Sequence, residues 1–221
     1  MSESYPHGEP LKLTPSLLLK AYANGVFPMS DGAHSTEIYW VDPKFRGIIP
    51  LDGLHISRSM RRFVRNGSFE VSINSDFAAT VAACAERAET WINEEIKQLY
   101  QSLHQLGFAH SVEVWNNGEL VGGVYGVSIG GAFFGESMFS RETNMSKVAL
   151  IWLVARLKSG GFTLFDTQFI TDHLMSLGGI EIPRARYHEE LSNALAVQSD
   201  FFKLKPKTGR DQILHLSTQT S

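Results

Sequence analysis

The chain of 221 residues is 43% hydrophobic and 19% charged, which describes a folded protein and excludes a disordered one. A net charge of -3 excludes a globally basic nucleic-acid binder while leaving room for local patches, and the single cysteine, Cys84, excludes an internal disulfide. No apolar run approaches the roughly 20 residues of a membrane helix, and "MSESYPHGEPLKL" lacks a signal-peptide pattern, so a cytoplasmic protein without membrane contact is expected.

Residues 1 to 12 read as loose. "TPSLLLKAYANGVFPM" then offers a Thr cap, Pro15 at the first helical position, and Leu17, Leu18, Ala21 and Tyr22 at helical spacing. "EIYWVDPKFRGIIPLDG" reads as extended pieces broken by Pro43 and Pro50. "SRSMRRFVRNG" is a helix capped by Ser57 and ended at Asn66-Gly67, and "FEVSIN" is a strand. "SDFAATVAACAERAE" and "NEEIKQLYQSLHQLG" are amphipathic helices separated by Thr90, Trp91 and Ile92. From His110 the pattern changes to three antiparallel strands joined by Asn-Asn-Gly and Gly-Gly turns. "SKVALIWLVARLKSGG" is a buried helix leading into the strand "GFTLFDTQ", and "DHLMSLGG" and "PRARYHEELSNALA" are later helices. This order implies a mixed α+β sheet protein.

Some stretches carry more than structure. Arg58, Arg61, Arg62 and Arg65 stand at i, i+3, i+4, i+7, one helix face suited to phosphates; the ordinary alternative is a solvated face with acid partners from elsewhere. In "GGAFFGESMFS", alternation sets Phe134, Glu136 and Met138 on one face, so Glu136 is an acid among apolar neighbours. The alternative is a buried Arg partner for it. In "GFTLFDTQ", Phe162, Leu164, Asp166 and Gln168 share a face that begins as core and ends polar. An Asp capping the following turn is the plain explanation there. Tyr22, Trp40 and Trp91 lie near element ends, where aromatic faces stack on bases or simply fill a core. No nucleophile elbow, phosphate-binding glycine loop or metal-ligand spacing is present.

Taken in order, "AYANGVFPM", "LHISRSMRRF", "ETWIN", "LHQLGFAHSVEVW", "ELVGGVYGV", "GGAFFGESMFSR", "FDTQF" and "SLGGIEIPRARY" resemble the bacterial leucyl/phenylalanyl-tRNA–protein transferases over roughly residues 13 to 195. The resemblance implies an acetyltransferase-like fold of the GNAT superfamily: a small N-terminal domain at 1–60, a catalytic domain at 61–197 and a weakly organised tail at 198–221. It implies transfer of Leu, Phe or Met from the corresponding aminoacyl-tRNA to proteins or peptides with N-terminal Arg or Lys, marking them for N-degron degradation. No cofactor or metal is expected, and the protein should be a monomer. The implied catalytic residues are Asp166, Gln168 and Glu136. Tyr22 and Trp91 match the platform for the tRNA 3′ adenosine, and Val124, Phe133, Leu150 and Leu153 the aminoacyl side-chain pocket. Met29 stands where many relatives carry Trp. The basic stripe would hold the tRNA backbone. On this reading Asp166 orients or polarises Gln168, and Glu136 holds the aminoacyl-adenosine end. The rival enzyme is an acetyl-coenzyme A N-acetyltransferase, disfavoured by the glycine-free "FSRETNMSK", and the rival without chemistry is an RNA-binding module.

Overall fold

The computed structural model describes residues 13–30, 32, 38–86, 90 and 92–218. Trp91 lies outside them.

Helix α1 (Pro15–Ala23) starts where the Thr14 side chain accepts from the Leu17 amide. It leads into a two-stranded ribbon of β1 (Phe27–Ser30) and β2 (Ile38–Val41). The chain continues through β3 (Phe45–Ile48), α2 (Arg58–Asn66), β4 (Glu70–Ile73), α3 (Phe77–Ala85) and α4 (Glu94–Gln105). Ser57, Asp76 and Asn93 cap α2, α3 and α4 with their side chains. The meander β5 (Ala109–Asn116), β6 (Glu119–Ile129) and β7 (Ala132–Ser140) follows. Helix α5 (Met145–Gly160) then crosses over to β8 (Leu164–Gln168), followed by α6 (Asp172–Ser176), β9 (Ile180–Pro183), α7 (Arg184–Leu195) and α8 (Arg210–Leu216).

Seven strands form one sheet in the order β4-β5-β6-β7-β8-β3-β9. All neighbours are antiparallel except β7 and β8, whose parallel pairing is what the α5 crossover permits. The fold is thus α+β with a mixed sheet. Two apolar layers cover the sheet. Phe133, Phe165, Val124 and the largely apolar α5 pack with Met60 and Val64 of α2 and Ile213 and Leu214 of α8. On the opposite face Phe134, Leu164 and Tyr125 pack with Tyr22 of α1, Val81 of α3, Tyr100 of α4 and Tyr187 of α7. None of the described helices is long and apolar enough to cross a membrane.

Strand β3 is inserted between β8 and β9, and Ile49, Leu54 and Ile56 enter the α5-side core, so segments on both sides of residue 60 share the large sheet. A four-residue strand, β9, stands where no strand was expected; it is short and on the sheet edge.

Two arginines hold the described part of the tail, residues 198–218. Arg156 of α5, 2% exposed, donates to the carbonyls of Phe201 and Leu204, and Phe201 stacks on His110 at 4.1 Å. Arg210 lies over the Phe69 ring at 4.3 Å and donates to the carbonyls of Val64, Gly67 and Phe69. Those carbonyls belong to the α2 C-terminus and the segment after it. One guanidinium thereby ties the tail to the arginine-bearing helix. Arg210→Ala is expected to lower unfolding free energy by about 2–3 kcal/mol, from charged hydrogen bonds lost to partly buried carbonyls. A urea unfolding midpoint unchanged from that of the parent chain would contradict it.

Candidate active site

Residue alternation would run unbroken along β7, but its pairing with β6 slips by one. Tyr125 pairs with Ser137 and Gly126 with Gly135, which leaves Glu136 as the extra residue of a bulge. Parity flips after it. Phe134 and Glu136 share a face as expected, whereas Met138 packs into the α5-side core. Gly126 is required beside the bulge, because a Cβ there would strike the Phe134 carbonyl oxygen and the Phe133 ring.

At the same level β7 and β8 part company. Their ladder ends at the pair Phe134 and Asp166, while β7 runs on to Ser140. Beyond that pair the ladder is open between two central strands of the sheet, with Glu136 on one side, Gln168 on the other, and the Gln168 Nε2 bridging to Glu136 Oε1 at 3.1 Å. On β8 the shared face holds Leu164, Asp166 and Gln168. Phe162 does not belong to it, because Gly161 adopts a left-handed φ of 79° before the strand starts and sends Phe162 into the other core.

Asp166 is fully buried and satisfied by four donors. Its Oδ1 accepts from Arg46 Nε at 2.9 Å and from the Gln168 amide at 2.7 Å. Its Oδ2 accepts from Arg46 Nη2 at 2.7 Å and from the Tyr187 hydroxyl at 2.8 Å. A carboxylate offers about four such positions, so none remains for a substrate. Arg46 itself is 1% exposed, sandwiched between the rings of Phe27 and Tyr187 at 4.4 Å each, with Nη1 on the Gly25 carbonyl. Burial alone would weaken its hold on the proton; the facing Asp166 carboxylate more than offsets that and holds its pKa above the usual value. Burial together with Asp166 likewise pushes the Tyr187 phenol far up.

The bond from the Gln168 amide to Asp166 has a conformational consequence. Gln168 has a φ of +65°, unusual for a residue with a long side chain. Asp166 therefore acts as a turn-forming Asp, as the plain reading allowed, and holds Gln168 through its backbone rather than polarising its amide. Gly47, opposite Gln168 on β3, leaves space for the backbone of Phe169 and Ile170 to turn away.

Glu136 is 8% exposed, and the donors around it are neutral; the buried Arg goes to Asp166 instead. Tyr22 donates to Oε1 and Tyr100 to Oε2, both at 2.6 Å, and Gln168 Nε2 donates to Oε1 at 3.1 Å. That last bond fixes which end of the Gln168 amide faces Glu136, so its oxygen faces elsewhere. The two tyrosine oxygens also lie 2.6 Å apart. Three short contacts among three groups use three protons, and two phenols supply two. With Glu136 ionised, both phenol protons point at the carboxylate and the tyrosine oxygens are pressed together without one. With Glu136 protonated, the ring of donors closes. In accord with this count, burial pushes the Glu136 pKa up to about 7, against bonds from Tyr100, Tyr22 and Gln168 that pull it down. Burial and the neighbouring Glu136 also push both phenols well above their ordinary range.

The structure thus brings Glu136, Asp166 and Gln168 together, as the sequence suggested. Tyr22 joins them: it is fully buried, its ring lies against Phe134 at 4.8 Å, and its hydroxyl donates to Glu136. Val124, Phe133, Leu150 and Leu153 lie on the α5 side of the sheet, 0 to 4% exposed. Arg58 and Arg62 are exposed on α2 with no acid partner among the described residues, while Arg65 pairs with Asp211 and Arg61 caps the Ile56 carbonyl. Arg141, near the start of α5, is committed to Glu86 and to the Leu120 carbonyl. Sequence reasoning missed Arg46, Tyr100 and Tyr187 as site residues. The signal for Arg46 was a cation inside "FRGII", an apolar strand pattern; Tyr100 and Tyr187 sit at ordinary core spacing and gave none. Among the described residues no cluster of His, Cys, Asp and Glu forms a metal site.

Between about pH 4.5 and 7 the folded protein keeps on Glu136 a proton that the unfolded chain has released, so stability falls as pH rises through this window. A folded value of about 7 against 4.5 corresponds to about 3 kcal/mol. Glu136→Gln should match the parent chain in stability at pH 4.5 and exceed it progressively up to pH 7. Parallel stability curves for the two proteins would rule out the elevated value.

Comparison with known proteins completes the picture. The profile described as leucyl/phenylalanyl-tRNA protein transferase matches residues 48–192, and that of the corresponding N-terminal domain matches residues 12–44. A leucyl/phenylalanyl-tRNA–protein transferase of Jannaschia sp. is 56% identical over 91% of this chain and 95% of its own length. One from Cereibacter sphaeroides is 58% identical over 96% of this chain and 99% of its own. A solved GCN5-related N-acetyltransferase-like protein from Streptococcus suis is a looser likeness, 14% identical with a TM-score of 0.35, covering 76% of this chain and 63% of that one. The chain belongs to the leucyl/phenylalanyl-tRNA protein transferase family.

Proposed function

We propose that this protein transfers leucine, phenylalanine or methionine from aminoacyl-tRNA to the N-terminal Arg or Lys of acceptor proteins, which marks them for N-degron degradation. The observation that carries the reading is Glu136: a buried acid, raised out of the ladder by a bulge, at an opening between β7 and β8. The opening suits a small acyl group, and the acid suits the α-ammonium of an aminoacyl ester. Family membership supplies the donor and acceptor classes. The protein acts as a monomer in the cytoplasm on this reading.

The ester is already activated, so the protein's work is to place two reactants and stabilise charge. Glu136, once ionised, receives the donor's α-ammonium. Gln168, whose Nε2 is turned to Glu136, presents its oxygen to the acceptor's α-amine, whose ordinary pKa of about 7.7–8.0 leaves a neutral fraction near pH 7. Asp166, with every acceptor position filled, holds Gln168 in place and moves no proton. The amine adds to the ester carbonyl, and the ribose 3′-oxygen departs with the proton given up by the nitrogen.

The donor's side chain reaches Val124, Phe133, Leu150 and Leu153 by passing through the opening toward α5. A wholly apolar pocket separates Leu, Met and Phe weakly, since a methylene there is worth about 1–3 kcal/mol. The arginines of α2 hold the tRNA backbone without reading sequence. Trp91, beyond the described residues, stays assigned to the 3′ adenosine.

The direct test is transfer of radiolabelled leucine from Leu-tRNA to a peptide beginning with Arg, beside the same peptide beginning with Ala. Only the Arg peptide should be labelled; equal labelling, or none with folded protein, would refute the proposal. Gln168→Ala should lower turnover on the order of 100-fold at unchanged Leu-tRNA affinity. Near-normal turnover would remove Gln168 from the mechanism. Arg62→Ala should weaken tRNA binding and flatten the plot of log affinity against log salt by about 0.7–0.9. An unaltered slope would assign Arg62 to a solvated surface.

A further inference from the structure

Thr167 is an oddity in a site where hydrogen bonds are otherwise well matched. It lies on β8 between Asp166 and Gln168 and is the residue that the β3–β8 ladder leaves out, since Ile48 pairs with Asp166 and Gly47 with Gln168. Its Oγ1 is buried and bonds to no group among the described residues. A buried hydroxyl left without a partner is costly, and valine would fill the same strand position with the same shape and no cost. The Thr167 hydroxyl therefore has a hydrogen bond to give that no described group takes.

The position gives that atom a use. The parallel ladder ends at Phe134 and Asp166, so Thr167 is the first residue of β8 beyond it, at the start of the opening whose other lip is the Glu136 bulge. An aminoacyl ester threaded through the opening has its ammonium on the Glu136 side and its side chain on the α5 side. Its carbonyl then lies between, level with Thr167. The other donors nearby are committed: Arg46, Tyr187 and the Gln168 amide to Asp166, and Tyr22, Tyr100 and Gln168 Nε2 to Glu136.

Resting on the function proposed above, we infer that Thr167 is a catalytic residue whose hydroxyl donates to the carbonyl oxygen of the aminoacyl ester. As the acceptor nitrogen forms its bond to the carbonyl carbon, the π pair moves onto that oxygen, and the hydrogen bond from Thr167 strengthens with the growing negative charge. When the carbonyl re-forms, the ester C–O bond breaks and its pair leaves with the ribose 3′-oxygen, which takes the proton released by the nitrogen. Thr167 gains and loses no proton in the cycle.

The test compares the full-length protein with Thr167→Val and Thr167→Ser, measuring thermal midpoint alongside kcat and KM for leucine transfer to an Arg peptide. Valine should leave the midpoint unchanged or raise it, because it removes an unpaired buried hydroxyl. It should lower kcat on the order of 100-fold with little change in KM, the signature of a lost oxyanion donor. Serine should restore most of the rate. A valine variant with normal kcat overturns the inference while leaving the functional reading intact. A lowered midpoint in the valine variant overturns it too, since the hydroxyl would then have a structural partner. A parent protein that transfers nothing fails the functional reading first, and the role of Thr167 with it.

Discussion

The buried ion pair between Arg46 and Asp166 is the constraint from which the rest of the site follows. Each partner is 1% exposed or less, and a charge so buried survives only when the geometry satisfies all of it. The protein meets that demand with material from across the chain. The turn after α1 gives the Gly25 carbonyl, β1 and α7 give the flanking rings, Tyr187 gives a hydroxyl, and β8 gives its own next-but-one amide. The N-terminal segment, the sheet and a late helix are thereby held in one register. Removing either charge would leave the other stranded in the core, so this pair fixes the arrangement more than it adds to stability.

That fixed point sets the roles of the two carboxylates. Asp166 is saturated, and one of its bonds holds the backbone of Gln168. Glu136 is surrounded by neutral donors that do not cancel its charge, so burial keeps its proton on to near neutrality. Two acids only a strand apart have been given opposite surroundings, one by a guanidinium and the other by a pair of phenols.

Much of this was legible in the amino-acid order. The caps at Thr14, Ser57 and Asn93, the meander with its Asn-Asn-Gly and Gly-Gly turns, and the acids at Glu136 and Asp166 follow from short-range rules. What escaped depends on partners distant in sequence. Arg46 acquires its meaning from Asp166, 120 residues away, and Tyr100 from Glu136, 36 away. Periodicity also cannot see a bulge, since it assumes the parity that a bulge breaks; hence the misplaced Met138. The tail read as weakly organised because two of its ties run from an arginine to distant backbone carbonyls, from Arg156 to the tail and from Arg210 of the tail to the segment after α2, and neither shows in a residue pattern.

The bulge at Glu136 also bears on how such a site can arise and be lost. Ser137 through Ser140 still pair with β6 in regular order, so excising the one residue between Gly135 and Ser137 would let the β6–β7 ladder run straight from end to end. The shortened sheet would have more complete pairing and no buried acid to desolvate. The acid thus enters the sheet as a single extra residue, and an in-frame loss of three bases would remove it while closing the ladder.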